Sequence, residues 1–289
     1  MQACVNINGT ITSADNAAIS ILDHGFLFGD SVYDAFRTYE RKLFLFNRHF
    51  DRLEYSARGV FLTLPWTREK FRSEMMRTIE AANYAGESKA RLIVTRGIGE
   101  VIADPETCSG PNVIIIVAPL KPYPAEMYSD GVEMTVSSIP RGGMVADYKT
   151  GNLMHQVLAT REAKSRNAYD AILLTTEGFI SDGIACNVFM IQDSTLKTPG
   201  HEASIIEGIT KGVVINAART LGMNVVQGLF HPDEIERSTE MFLTGTYREV
   251  VPVVRVDGKP IGNGRPGSWT RKIMEAYRVE VKRLLIQED

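Results

Sequence analysis

Apolar residues recur along this chain with two different periods, and the switches between them predict the order of its elements. Residues 32–39 (VYDAFRTY) and 43–46 (LFLF) flank the polar Glu40-Arg41-Lys42, which predicts a β-hairpin in a strand-rich beginning. Asn47 then stands where it can cap a helix reaching about Gly59. Thr67 can cap another reaching about Tyr84, where Phe71, Met75, Ile79 and Ala82 fall at helical spacing. Residues 91–97 and 112–119 read as buried strands, so residues 1–120 are expected to form a small α/β domain. Lys121-Pro122-Tyr123-Pro124 is stiff and incompatible with a helix, which marks a linker over 121–131 before a larger domain at 132–289.

In that larger domain a strand at 132–139 leads into a helix over about 152–167, with Leu153, Val157, Leu158 and Ala163 as its apolar stripe. Residues 171–175, a turn at Glu177-Gly178, 179–181 and 187–191 read as antiparallel strands. A helix over 210–221 is expected to stop at Gly222. Strands at 224–227, 241–244 and 250–256 then precede a final helix over 268–285. The fold class is α+β in two domains.

Composition narrows the function classes. The 289 residues, 44% hydrophobic and 23% charged, hold enough apolar material for one large core or two modest ones. With 32 Lys+Arg against 35 Asp+Glu and no long basic run, nucleic acid is not an expected partner. The longest strongly apolar stretch, 113–119, is far short of the roughly 20 residues a membrane helix needs. The N-terminal residues MQACVNINGT have neither a basic nor an apolar leader region, so no membrane association is expected. Three cysteines (Cys4, Cys108, Cys186) without a C-x-x-C spacing argue against a disulfide framework or a zinc site and suit a reducing cytoplasm.

Several familiar signatures fall away in context. Gly262-Asn263-Gly264-Arg265-Pro266-Gly267 fits G-x-G-x-x-G, but the residues before it read as a hairpin through Asp257-Gly258, and only 22 residues follow it. That is too short for the rest of a dinucleotide fold. The histidines His24, His49, His155, His201 and His231 show no metal-binding spacing, and no G-x-S-x-G is present.

What remains is a dispersed set of groups suited to an anion and an aldehyde. Asp23-His24-Gly25-Phe26-Leu27-Phe28-Gly29-Asp30-Ser31-Val32-Tyr33-Asp34, with Arg48-His49-Phe50-Asp51-Arg52-Leu53, resembles the opening signature of class IV (fold type IV) pyridoxal-phosphate aminotransferases. Tyr148-Lys149-Thr150-Gly151-Asn152-Leu153 is similar to the family's Schiff-base lysine with Asn three residues later. Gly178-Phe179-Ile180-Ser181-Asp182-Gly183 followed by Asn187-Val188-Phe189 is similar to its acid-and-Asn segment. Gly208-Ile209-Thr210 and Thr244-Gly245-Thr246 are similar to its two phosphate segments, and residues 256–267 match its last segment. The resemblance covers nearly the whole chain, in the family's order.

This resemblance implies a pseudo-barrel larger domain with pyridoxal 5'-phosphate (PLP) at the domain interface. It makes Lys149 the catalytic residue, holding the cofactor as an aldimine and then shuttling a proton. A lysine suits that task because desolvation readily favours the neutral amine in this residue type. Asp182 stands where the family carries Glu beside the ring nitrogen, one C–C bond or about 1.5 Å shorter in reach. Arg52 offers a guanidinium fork to the phosphate, Gly208, Ile209 and Thr210 a helix N-terminus with a hydroxyl, and Thr246 a second hydroxyl. Ile206 is implied to pack on the pyridine ring. No metal is expected.

For the substrate, Tyr33 and Arg37 are four residues apart on one strand and therefore share a face. Arg96 matches a family segment near the substrate, and the amides at Thr246-Tyr247 suit an α-carboxylate. The Arg-x-His of the D-amino-acid members is missing from residues 99–104. Leu153 stands where the branched-chain members usually carry Tyr. The implied activity is amino transfer between an amino acid, branched-chain or related apolar favoured, and a 2-oxo acid, by a cytoplasmic homodimer with shared active sites. Three alternatives stand beside it: a D-amino-acid aminotransferase, an aminodeoxychorismate lyase-type carbon–carbon lyase, and a non-catalytic PLP-binding protein suggested by Asp182.

Overall fold

The computed structural model describes residues 3–143 and 145–287. Its contacts divide the chain into two compact units. One runs to Lys121 and takes in Tyr148–Asn152, and the other comprises Pro122–Asp147 and the residues from Leu153 onward.

The first unit contains β1 (Cys4–Ile7), β2 (Thr10–Ser13), α1 (His24–Leu27), β3 (Ser31–Tyr39), β4 (Lys42–Leu43), α2 (Phe46–Gly59), α3 (Arg68–Ala82), β5 (Ser88–Thr95) and β6 (Asn112–Pro119). Its six-stranded sheet has the order β2-β1-β6-β5-β3-β4 and is antiparallel at every pairing. The expected hairpin forms through Glu40 and Arg41, both at positive φ, but Phe46 already begins α2. Leu45, left-handed at φ 51°, takes the N-cap expected of Asn47. Thr67 caps α3 as expected, its hydroxyl accepting from the Lys70 N–H at 3.3 Å. Alternation in β3 buries Val32 and Phe36 with Phe46, Phe50 and Leu53 of α2 and Phe71, Met75 and Ile79 of α3. Burial of these side chains is the main stabilising term, at about 1.5–3 kcal/mol for each large apolar group. Tyr33, Ala35 and Arg37 face the other way.

The second unit contains α4 (Glu126–Ser129), β7 (Val132–Val136), α5 (Met154–Ser165), β8 (Asp170–Leu174), β9 (Ile180–Gly183), β10 (Asn187–Gln192), β11 (Thr195–Pro199), α6 (Ile209–Thr220), β12 (Asn224–Gly228), α7 (Asp233–Arg237), β13 (Glu240–Gly245), β14 (Glu249–Val256), β15 (Lys259–Pro260) and α8 (Ser268–Gln287). Its curled nine-stranded sheet runs β12-β11-β10-β13-β14-β7-β8-β9, with β15 on β14, and mixes parallel and antiparallel pairs. The expected stripe of α5 is corrected: the helix buries Ala159 and Ala163, whereas Val157 and Leu158 are exposed. β14 and β15 form the hairpin through Asp257 and Gly258, both at positive φ. Glu240 accepts the first amides of α8, from Trp269 and Thr270, so the glycine-rich stretch before that helix is a turn and cap.

Candidate functional site

Lys149 sits in a segment that the sequence assigns to the larger domain, yet its bonds tie it to β3 and α2 of the first unit. The Tyr33 N–H donates to the Lys149 carbonyl at 2.9 Å, the Gly151 N–H to the Ser31 carbonyl at 2.9 Å, and Val32 bridges Thr150. The Ser56 hydroxyl accepts the Lys149 N–H at 3.0 Å and donates to the Arg52 carbonyl at 2.9 Å. Glycines make this packing possible. A Cβ on Gly59 would lie 2.2 Å from the Tyr148 ring, and one on Gly151 would lie 2.3 Å from the Ser31 hydroxyl. The Lys149 Nζ rests 4.6 Å from the centroid of the Tyr33 ring, a cation–π arrangement.

Arg52 lies one turn before Ser56 on α2. Its Nε and Nη2 donate to the two oxygens of Asp34 at 2.8 Å each, and the Asp34–His49 Nδ1 distance is also 2.8 Å. Burial alone would raise the Asp34 carboxyl, but Arg52 and His49 hold it well below the usual carboxylate range. His49 is pushed down by burial, against the pull of Asp34. One edge of Arg52 is thus fixed by a buried carboxylate.

On the other face of β3, the cross-strand register sets Tyr33, Ala35 and Arg37 opposite Ile93, Arg91 and Lys89, and these opposite Ile114, Ile116 and Ala118. Tyr33 and Arg37 therefore share a face, as expected. The Arg91 guanidinium carbon lies 3.9 Å from the Tyr33 ring centroid, and its buried Nε has no hydrogen-bond partner among the described residues. Arg96 donates to both Asp30 oxygens and to the carbonyls of Val60 and Phe61, which commits four of the guanidinium's five N–H groups to structure.

In the second unit, Asp182 lies one residue before the end of β9 with both oxygens engaged: Asn187 Nδ2 donates to one at 2.8 Å and the Ile206 N–H to the other at 3.0 Å. Burial pushes the Asp182 carboxyl up, and the charge of Arg141 is the largest opposing influence. Arg141 itself donates to the carbonyls of Ser204 at 2.6 Å and Ala146 at 2.9 Å. Asn187 also donates to the Ile206 carbonyl at 2.9 Å, and a Cβ on Gly208 would lie 1.9 Å from its Oδ1. Gly208 is the N-cap of α6 and has no side-chain cap, so the Ile209 and Thr210 amides open that helix with the partial positive charge of its end. Thr246 and Tyr247, half-buried, follow β13 directly. The next residue, Arg248, donates to Asp170 at 2.7 Å, and Asp170 also accepts the Ile184 and Ala171 amides.

Each unit thus gathers part of the expected set: Tyr33, Arg37, Arg52 and Lys149 in the first, Asp182, Ile206, Gly208, Ile209, Thr210, Thr246 and Tyr247 in the second. Sequence reasoning missed Asp34, His49, Ser56, Arg91, Arg141 and Arg248. A signal existed for Asp34, a charge on the Val32/Phe36 face of an otherwise apolar strand. Arg141 and Arg248 carry none, because Ser204 and Asp170, to which they respectively donate, lie tens of residues away. Among the described residues no group of His, Cys, Asp and Glu is placed to hold a metal ion. Nor, among the described residues, is any helix long and apolar enough to cross a membrane.

The family model described as Amino-transferase class IV matches residues 31–256. A putative branched-chain-amino-acid aminotransferase of Methanocaldococcus jannaschii is 32% identical over 274 residues, covering 95% of each chain. A D-alanine aminotransferase of Listeria monocytogenes serotype 1/2a is 30% identical over 283 residues, covering 96% of each. The T.th. branched-chain amino acid aminotransferase, solved with pyridoxamine 5'-phosphate, superposes with a TM-score of 0.91 at 27% identity, over 96% of this chain and 93% of that one. The match spans the strand that carries Tyr33, the helix that carries Arg52, the Lys149 segment and the segments around Gly208 and Thr246, and this chain belongs to the class IV aminotransferase family.

Proposed function

We propose that this aminotransferase moves an amino group between a branched-chain or related apolar amino acid and a 2-oxo acid, with PLP as cofactor. The placement of Lys149 carries the reading: its backbone is fixed by β3 and Ser56, and its ammonium rests on an aromatic face. The residues fit the cofactor's chemistry. Arg52 and the uncapped start of α6 with Thr210 and Thr246 suit the phosphate, Asp182 suits a protonated ring nitrogen, and Ile206 suits a ring face. When bound, PLP supplies the carbonyl carbon that receives the amino group and a ring that accepts electrons. Lys149 is the residue that would hold that carbon and would carry the proton at the donor's Cα. Arg37 and Arg91 suit a substrate carboxylate, and Ile93, Ile114 and Ile116 extend the same sheet face as an apolar floor for a branched side chain. Arg96 is left as a structural tie.

The proposal includes a cytoplasmic homodimer with shared active sites. Support for a second copy comes from exposed apolar side chains in each unit: Ile21, Phe26, Val101 and Ile102 in the first, and Met154, Val157 and Leu158 in the second. The test is spectroscopic. Purified protein should bind PLP with an absorbance band that shifts on adding an amino donor, and Lys149→Ala should abolish the band. L-Leu, L-Val and L-Ile are expected to act; a response to D-Ala alone would move the reading to the D-amino-acid class. Pyruvate release without any 2-oxo acid acceptor would move it to the lyase. Failure of the wild type to take up PLP would end it. Sedimentation of the wild type as a monomer would overturn the dimer.

A further inference from the structure

We propose that Arg141 is a positioning residue for the amino-transfer chemistry, its buried charge holding Asp182 as the carboxylate that a protonated ring nitrogen requires. This rests on the PLP reading above. Both side chains are buried, and each lacks the direct partner its charge demands. Arg141 donates to the carbonyls of Ser204 and Ala146, and among the described residues no acid, Asp147 included, lies within ion-pair distance of it. The donors to Asp182 are neutral, the Asn187 amide and the Ile206 N–H, and among the described residues no cation pairs with it. A buried charge left uncompensated costs far more than one answered by its opposite, so two such charges in one unit serve each other where they lie close.

The Ser204 carbonyl brings them close. It accepts from Arg141 Nε at 2.6 Å and from the hydroxyl of Ser181, the residue before Asp182, at 3.3 Å. Two residues further on, the Ile206 N–H donates to Asp182 at 3.0 Å, and two residues span at most about 7 Å. Ser204 itself turns at φ 54°, a conformation that a non-glycine residue keeps only where its surroundings hold it. At roughly 8 Å in a protein interior, a unit charge changes a neighbour's proton affinity by more than tenfold. Burial pushes the Asp182 carboxyl up, and Arg141 is the largest influence against that rise. The other ionisable groups of this neighbourhood are already answered. Lys211 of α6 acts in the same direction as Arg141 but is paired with Glu207 at 3.2 Å, Arg248 is paired with Asp170 at 2.7 Å, and burial pushes the Cys186 thiol up, which keeps it neutral.

The experiment titrates Asp182 directly, by NMR of carboxyl-labelled aspartate in the purified protein freed of its pyridoxal group with hydroxylamine, and Asp182→Asn identifies the signal. Arg141→Gln, which keeps a hydrogen-bonding side chain without the charge, is expected to raise the Asp182 midpoint by about one pH unit, a tenfold gain in proton affinity. Arg141→Lys, which keeps the charge, should leave the midpoint near its wild-type position, and Lys211→Met should move it less than Arg141→Gln does. In the PLP-loaded enzyme the acid limb of the half-reaction rate should move to higher pH in Arg141→Gln and return in Arg141→Lys, because protonating Asp182 removes the carboxylate. An arginine that only ties Ser204 and Ala146 would lower the rate at every pH and leave the limb in place. Arg141→Met repeats the titration if glutamine does not pack. An unmoved Asp182 midpoint in Arg141→Gln, an equal shift in Arg141→Lys, or a rate loss independent of pH would each overturn the assignment. Failure of the wild type to bind PLP while the midpoint shift is present would instead overturn the cofactor reading itself.

Discussion

Replacing Asp34 by Asn tests the most consequential buried charge in the first unit. The side chain is wholly buried and accepts four hydrogen bonds: two from Arg52 at 2.8 Å, one shared with His49 Nδ1 at 2.8 Å and one from the Ala35 N–H at 2.7 Å. Asparagine keeps the shape but removes the charge, and it turns an NH2 group toward the donors of Arg52, whose side chain is only 12% exposed. Breaking a buried pair in this way costs about 3–5 kcal/mol, most of it the uncompensated cation. At roughly 2–4 °C per kcal/mol for a chain of this size class, thermal unfolding should begin about 6–20 °C lower. The pH dependence has a fixed sign. The folded carboxyl is held below its unfolded value, so its stabilisation is fully present above about pH 4 and is lost as pH falls toward the folded value. Wild-type and Asp34→Asn melting curves followed by circular dichroism should therefore converge on acidification. A loss under about 1 kcal/mol at pH 7, or a gap that does not narrow with acid, would refute the argument. Combining Asp34→Asn with Arg52→Met should destabilise less than the sum of the single changes, because no lone charge is left behind.

Arg248→Met should cost a similar 3–5 kcal/mol by stranding Asp170, and Asp170→Asn in the same protein should recover a large part of it, as urea unfolding would show. Because Arg248 directly follows Thr246-Tyr247, the single variant should also weaken PLP more than pyridoxal in a binding titration. Asp182→Glu should lower stability by about 1–3 kcal/mol, since both carboxylate oxygens are already bonded in a full site and the extra methylene has to be accommodated there. Its half-reaction with an amino donor, followed by stopped-flow absorbance, should be no faster than the wild type's. A large acceleration would mean that the native acid is too short for its task.

Strand and helix order was legible because period 2 and period 3.6 are imposed by backbone geometry wherever one face is buried. What periodicity leaves open is which face is covered. In α5 the large residues Val157 and Leu158 look outward while the small Ala159 and Ala163 pack inward, and only tertiary contacts decide between such faces. β11 escaped notice for a related reason, being five residues long, preceded by Asp193 and Ser194 at positive φ and ended by Pro199. At the candidate site, Lys149 could be named from its local motif. Its association with β3 could not, because that depends on the Tyr33 amide and the Ser56 hydroxyl, more than 90 residues away.

The cations of the two units are treated in two distinct ways, and the difference follows from what the proposal asks of each. Arg52 and Arg248 each lean on a buried aspartate, Asp34 and Asp170, which fixes the guanidinium before any ligand arrives and so removes the entropy that a free arginine would lose on binding. A group that only holds an anion gains from such a partner, provided one edge stays available. In the proposed reaction Lys149 would form and break a covalent bond, and a carboxylate beside it would hold its proton. Among the described residues no acid pairs with its Nζ; the nearest assigned contact is the Tyr33 face, which restrains the cation by its ring quadrupole without accepting its proton. Asp34 lies on the opposite face of β3 from Tyr33, and its oxygens are taken up there by Arg52 and His49.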